Sequence, residues 1–250
     1  MEGHDHRGHD WQSATYAAAW VADAEARDPE RIEQLELLVK LLPQPRDAPI
    51  RVLDLGAGYG ILTRLVLATF PRARVTLFDI SQAMLDQAKP RLAAHLDQLD
   101  WAIGDLTRPN WVRAVSGPYD AVVSAATLHN MEEGGLIAAI YAQLAPLLAP
   151  GGAFLCYDHM SAGGPRIEQQ FDVVRPVRRP DAVEADGHGH GVDGHGHGTA
   201  ATITAPAGVR RVRFPGTIEA HLGWLRAAGF DEVDCFWKSF HQAIYGGYLR

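Results

Sequence analysis

Residues 50–79 restrict the fold of this chain more than any other stretch. Ile50 to Leu55 is a short apolar run interrupted by one acid, Asp54. Three glycines follow at alternate positions, Gly56, Gly58 and Gly60. Ile61 to Phe70 carries apolar residues at helical spacing, and Arg74 to Phe78 reads as a second strand ended by Asp79. The order is strand, tight glycine turn, helix, strand, acid. In a parallel α/β sheet such a turn lies outside the carboxyl end of its first strand, where ligands bind. Backbone N–H groups of the turn and of the helix start face that ligand.

Two cofactors use this geometry, and both place the acid after strand two where it can accept hydrogen bonds from ribose hydroxyls. A dinucleotide fingerprint reads G-x-G-x-x-G. Here the third glycine comes one place early, at Gly60, with Ile61 where the last would stand, and Asp54 precedes the first glycine by two residues. Asp54-x-Gly56-x-Gly58-x-Gly60 resembles motif I of the class I S-adenosylmethionine (SAM) dependent methyltransferases. A glycine turn of another α/β protein, including a nicotinamide-dependent enzyme, is the competing reading.

The remaining chain alternates regularly. Strands are expected at 50–55, 73–79, 99–104, 120–125 and 153–158, separated by helices at about 60–69, 81–95, 109–116 and 136–148. Ser81 is placed to cap its helix, and Pro150-Gly151-Gly152 stops the last one. Short loops between alternating strands and helices give a parallel sheet covered on both faces. Upstream, Trp11 to Arg27 and a second helix opened by Asp28-Pro29 form a helical cover. Downstream, a helix from Thr217 to Gly229 precedes strands at 232–238 and 241–247, whose short connection forces an antiparallel hairpin.

A parallel sheet finished by one reversed strand is what class I methyltransferases have, so the resemblance extends over about residues 30–158 and 216–248. It implies a Rossmann-like, doubly wound α/β fold: seven strands, mostly parallel, with one antiparallel strand from the C-terminal hairpin, helices on both faces and the N-terminal cover. It implies one domain over 1–250: a mobile histidine-rich tail (1–10), the cover (11–48), a core (49–158 and 216–250) and an insertion or lid (159–215).

The resemblance also implies roles for residues. Gly56, Ala57 and Gly58 would pass under the methionine end of SAM, with Asp54 holding water or the ammonium. Asp79 would hold the ribose, although it could instead be a helix-capping acid before Ser81. Ile80 and Met84 would sandwich the adenine. Asp105, after Gly104 and beside Leu106, matches the acid that accepts the adenine amino group; a simple cap is its other reading. Ser124 closes strand four, and the backbone after it would lie against the sulfonium and face the acceptor. His129 follows, a candidate base for a hydroxyl or amine acceptor or a packing histidine. His159, after Asp158, is a weaker candidate for the same role. Trp11 and Tyr16 could close over the site from the cover. The Asn/Asp-Pro-Pro-aromatic motif of enzymes that methylate exocyclic amines is missing after strand four.

Composition narrows the class further. The chain has 250 residues, 47% hydrophobic and 21% charged, as expected for a globular protein. A net charge of −7 speaks against nucleic acid as the bulk substrate, because that needs a basic footprint. No run reaches the roughly 18 apolar residues of a membrane span, and the polar start is not that of a secretory signal. Cys156 and Cys235 both read as buried small hydrophobes in a reduced, cytoplasmic protein.

Seven of the twelve histidines fall in two tracts: His4, His6 and His9, then His188, His190, His195 and His197. Glycine around the second group predicts a mobile loop with weak divalent-metal affinity rather than a built site. The flanking Arg175, Arg178, Arg179, Arg210, Arg211 and Arg213 fit either a solvated insertion or a lid attracting an anionic acceptor.

The functional expectation is methyl transfer from SAM, leaving S-adenosylhomocysteine, to an oxygen, nitrogen or carbon nucleophile of a small molecule, with no required metal. Methylation of RNA or protein, and a SAM-binding metal-handling or regulatory protein without transferase activity, are the alternatives. A homodimer is one assembly left open.

Overall fold

The computed structural model describes residues 10–131, 133–174 and 214–250. The tail, both histidine tracts and both arginine runs therefore lie outside the described residues, together with most of the 159–215 insertion. The sheet is built from β1 (Arg51–Leu55), β2 (Arg74–Asp79), β3 (Leu99–Ile103), β4 (Tyr119–Ala125), β5 (Leu148–His159), β6 (Glu232–Ser239) and β7 (Gln242–Tyr248). Its order is β3-β2-β1-β4-β5-β7-β6. β1 to β5 pair in parallel, and β7 runs antiparallel to both β5 and β6. This is the expected seven-stranded Rossmann-like sheet with one reversed strand from a terminal hairpin. Strand order reverses at β1, so the crevice between the loops after β1 and β4 is the topological switch point.

Helices α1 (Ala14–Arg27), α2 (Ile32–Lys40), α3 (Ile61–Thr69), α4 (Gln82–Arg91), α5 (Gly134–Leu144), α6 (Pro165–Val174) and α7 (Ile218–Ala227) surround it. Successive strand residues face opposite ways. Val52, Ala121 and Val123 point into one core with residues of α1 to α4. Leu53, Leu55 and Val122 point into the other with α5 and α7. Among the described residues no helix is long and apolar enough to cross a membrane.

Several expectations are corrected. The helix expected at 109–116 is only a 3₁₀ turn, Trp111–Ala114. The helix after Ser81 ends at Arg91, one residue past Pro90, and a 3₁₀ segment Ala93–Gln98 replaces its last turn. Pro90 lacks the N–H that an extended helix would use, which favours that early end. β5 begins at Leu148 rather than 153, with an irregular register opposite Tyr119. Cys156 is buried, as read from sequence, but Cys235 is only partly so, because β6 is the edge strand; both are free.

The hairpin strand β7 packs so closely on β5 that it needs glycine. A Cβ on Gly246 would strike the Phe154 carbonyl oxygen and come within 3.0 Å of the Leu155 Cα. Both are backbone atoms and cannot turn away. Gly246→Ala is therefore expected to lower stability by about 1–3 kcal/mol, the overpacking range, measured by urea unfolding, with Gly135→Ala, where nothing lies within 4 Å, as the tolerated control.

Candidate functional site

The glycine turn needs its glycines for different reasons. Gly56, Gly58 and Gly60 have φ of +73°, +54° and +81°, the left-handed region that other residues avoid. At Gly56 a side chain would also collide with Thr127, so the loops after β1 and β4 touch backbone to side chain there. At Gly58 an added Cβ would meet the Met84 methyl at 3.4 Å. The turn is tied down by the N–H groups of Gly56 and Ala57, which donate to the Phe78 carbonyl at 2.8 and 3.0 Å.

Asp79, 9% exposed at the end of β2, organises what lies beside the turn. Its Oδ2 accepts the Gly58 N–H at 2.8 Å and its Oδ1 the Ser81 N–H at 2.9 Å. Each oxygen keeps capacity for a further donor. Ser81 caps α4 by accepting the Met84 N–H at 3.0 Å, which brings Met84 up to Gly58. Gly56, Ala57, Gly58, Asp79, Ile80 and Met84 are thus one cluster, as the sequence suggested.

Asp54 is 1% exposed. Its Oδ2 accepts the Thr63 hydroxyl at 2.6 Å, so the carboxylate sits at the start of α3. Burial pushes it up to about 7, against hydrogen bonds from Thr63 and with a further upward push from Asp79. Asp79 is raised too, by burial, with backbone N–H groups of Ser81, Gly58 and Ile80 opposing. Hydrogen bonds, not a cation, offset burial at both carboxylates among the described residues.

The other expected cofactor residues are more committed locally. Gly104 admits no side chain, because a Cβ would come within 2.5 Å of the Phe78 ring. Asp105 Oδ1 accepts the Thr107 N–H and hydroxyl at 2.8 and 2.7 Å, and Arg108 lies 3.5 Å from Oδ2. Asp105 therefore organises its own turn, the capping arrangement weighed from sequence, with its side chain 20% exposed. Leu106 is buried beside it. The Ser124 hydroxyl donates to the Leu55 carbonyl at 2.8 Å and is fully buried, so it joins β4 to β1.

Beyond Ser124, Ala126 takes φ +54° and Leu128–Asn130 makes one 3₁₀ turn that presents His129. His129 Nδ1 lies 2.6 Å from Asp158 Oδ1. Asp158 is 1% exposed. Its Oδ2 also accepts the Leu128 and His129 N–H groups at 2.7 and 3.2 Å, and its Oδ1 the His159 N–H at 2.7 Å. Burial alone would push Asp158 up; the adjacent His129 and the bond from it outweigh burial and hold the carboxyl well below the usual range. The His159 ring packs 5.1 Å from that of His129 and stacks on Phe214 at 5.3 Å, and burial lowers its pKa.

The sequence pointed to His129 and, near the same rim and preceded by Asp158, to His159, but not to Asp158 clamping the loop that carries His129. It also missed Phe214 and His241, whose rings lie 5.5 Å apart, and Glu168, 3.5 Å from His241. The one available signal was Asp158 itself, an acid ending a strand as Asp79 does.

The N-terminal cover reaches the same rim. The Ser81 hydroxyl donates to the Trp11 carbonyl, and the Gln12 carboxamide donates to the Ile80 carbonyl at 3.1 Å. Trp11 packs edge-on against Tyr16 and Trp20, and Trp20 against Tyr59. The Tyr59 hydroxyl donates to Asp28 at 2.6 Å, which Arg31 also binds.

The family model described as a methyltransferase domain matches residues 52–152, from β1 into β5. Residues 52–152 are thus similar to a methyltransferase domain. The chain is 32% identical over 108 residues to the ubiquinone/menaquinone biosynthesis C-methyltransferase of Desulfotalea psychrophila, over 43% of this chain and 41% of that protein. It is 29% identical over 238 residues to the trans-aconitate 2-methyltransferase of Methylobacterium nodulans, over 95% of this chain and 75% of that one. An O-methyltransferase family protein from Burkholderia thailandensis has the same fold, with a TM-score of 0.63 at 16% identity over 97% of this chain and 61% of that one. The chain spans less than half the length of the first curated relatives it matches, at 41%, 44% and 34%. The matched segment contains the glycine turn, Asp54, Asp79, Asp105, Ser124 and His129.

Two outcomes follow for this site. Since the native Asp54 carboxyl titrates near 7 and the unfolded one near 3.8, the native state binds the extra proton between those values. Stability contributed by this group falls as pH rises from about 4 to about 7. Asp54→Asn, whose carbonyl can still accept the Thr63 hydroxyl, should flatten that fall in urea unfolding measured across the same pH range. Ser81→Ala removes a helix cap and the tie to Trp11, and should cost about 1 kcal/mol or more, read as a lowered Tm.

Proposed function

We propose that the protein is a SAM-dependent methyltransferase that methylates an oxygen, nitrogen or carbon nucleophile of a small molecule. The observation that carries this reading is the pair of buried carboxylates, Asp54 and Asp79, around a bare glycine turn within the methyltransferase domain. SAM brings an ammonium, a sulfonium and two ribose hydroxyls. Asp54 has no cation offsetting its burial among the described residues, and Asp79 keeps acceptor capacity on both oxygens. This donor set fits SAM. Asp79 would hold the ribose, Gly56 to Gly58 the methionine end, and Ile80 and Met84 the adenine, with Asp105 and Leu106 beyond. Ser124 would contribute by anchoring β4 beneath the reaction centre.

When bound, SAM supplies an already activated methyl group. The chain's part is to hold the acceptor in line and keep water out, which can carry most of the rate. His129 is the candidate base. The bond from Nδ1 to Asp158 orients the ring and leaves Nε2 to take a proton from a hydroxyl or amine. A carboxylate acceptor would not need that step. Phe214, packed on both His129 and His159, supports a reading in which the segment after β5 returns over the acceptor side. We take 1–250 as one domain on this basis, with 11–48 as its cover. The relatives named above act on different acceptors, so their names support the class of reaction and not one substrate.

The test is incubation with methyl-labelled SAM and fractionated cell extract. Label in small metabolites is expected; label in RNA or protein would redirect the substrate class, and no transfer at all would overturn the reading. Melting-temperature shifts separate the cofactors, since SAM should raise Tm and NAD should not. His129→Ala should lower kcat by about 10²–10⁴-fold, the usual share of a general base, while SAM affinity stays constant. Unchanged kcat would remove the base role.

A further inference from the structure

The loops after β4 and β5 hold a donor set that methyl transfer does not use in full. We propose that His129, Asp158 and His159 form a site for one divalent transition-metal ion, with zinc as the best match. One ligand atom from each residue lies within 4.8 Å of the others. His129 Nδ1 is 2.6 Å from Asp158 Oδ1, and His159 Nδ1 is 3.9 Å from the same oxygen. Tetrahedral ligands about 2.0–2.1 Å from zinc are roughly 3.3 Å apart. The two observed separations bracket that value.

An independent observation points the same way. Among the described residues His159 Nδ1 is buried and has no hydrogen-bond partner, although it borders an ionised carboxylate. A buried unpaired nitrogen is costly, and an ion between it and Asp158 would satisfy it. The surroundings are those of a built site. Three backbone N–H groups, from Leu128, His129 and His159, fix the carboxylate. The Gln242 amide nitrogen lies 3.4 Å from His159 Nε2. Turning the carboxamide over would put its oxygen there to accept an Nε2 proton, the tautomer that leaves Nδ1 free to bind metal. Phe214 covers the His159 ring, while His129 and His159 remain 20% and 28% exposed, enough for an ion to enter.

Two imidazoles and one carboxylate with an open fourth position suit zinc and its first-row neighbours; magnesium and calcium prefer oxygen ligands throughout. The ion enters where hydrogen now bridges His129 and Asp158. The Nδ1–H bond of His129 breaks and an Nε2–H bond forms, so the ring stays neutral and no proton is released. If His129 is the base, as proposed above, the metal-loaded form has lost it. This consequence rests on that reading; the binding site does not.

The histidine tracts would bind zinc as well, so the test uses the full chain with the histidines of both tracts replaced by serine. After chelator treatment it is titrated with zinc chloride in a calorimeter, without SAM. One site per chain is expected, with Kd below about 10 µM. His159→Phe in that background preserves the stack on Phe214 and should weaken binding at least tenfold, as should Asp158→Asn. Kd above about 100 µM, or equal affinity in the His159→Phe protein, overturns the site. Should Asp158→Asn fail to fold, judged by circular dichroism, His159→Phe decides alone. Methyl transfer measured in excess chelator reports separately, so failure of the metal site and failure of the transferase reading are distinguishable.

Discussion

The carboxylate of Asp79 is the fastening on which the β1–β2 side of the crevice depends. It stands at the end of β2 and takes N–H groups from two other elements, the turn after β1 and the start of α4. Ser81 then passes the constraint on, capping α4 and holding the cover through Trp11. One buried acid thus fixes the glycine turn, Met84 and the N-terminal helices relative to one another. The cost of burying it is met by backbone donors.

The β4–β5 side of the crevice repeats the device. Asp158 ends β5 and takes N–H groups from the loop after β4, as Asp79 takes one from the loop after β1. The two acids differ in what else they face. Asp158 has His129 against it and is held strongly ionised. Asp79 and Asp54 lack a cationic neighbour among the described residues and are pushed the other way. That asymmetry gives the crevice a polarity: two buried carboxylates without a cationic neighbour among the described residues beside β1 and β2, and a hydrogen-bonded His129–Asp158 pair beside β4 and β5.

The sheet was legible because its strands and helices alternate with their own periods and its turns are marked by glycine. The terminal hairpin could be read from the single short connection between two apolar runs. The cluster around Asp79 was legible because its members lie within thirty residues of chain and one βαβ unit brings them together. The pairing of His129 with Asp158 was not, since it joins loops 29 residues apart through a contact that no period encodes. Phe214 and His241 return to the same rim from still farther along the chain. Helix ends were misplaced where local chemistry overrode periodicity, at Pro90 and in the 3₁₀ turn at Trp111.

The central claim is that Asp79 both fixes the turn and holds the ligand. Calorimetric titration of wild-type protein and Asp79→Ala with S-adenosylhomocysteine tests it most directly, with circular dichroism confirming that both are folded. The account predicts binding to the wild type and a loss of at least tenfold in the variant, about 1.4 kcal/mol or more. Equal affinity in the two folded proteins would contradict it.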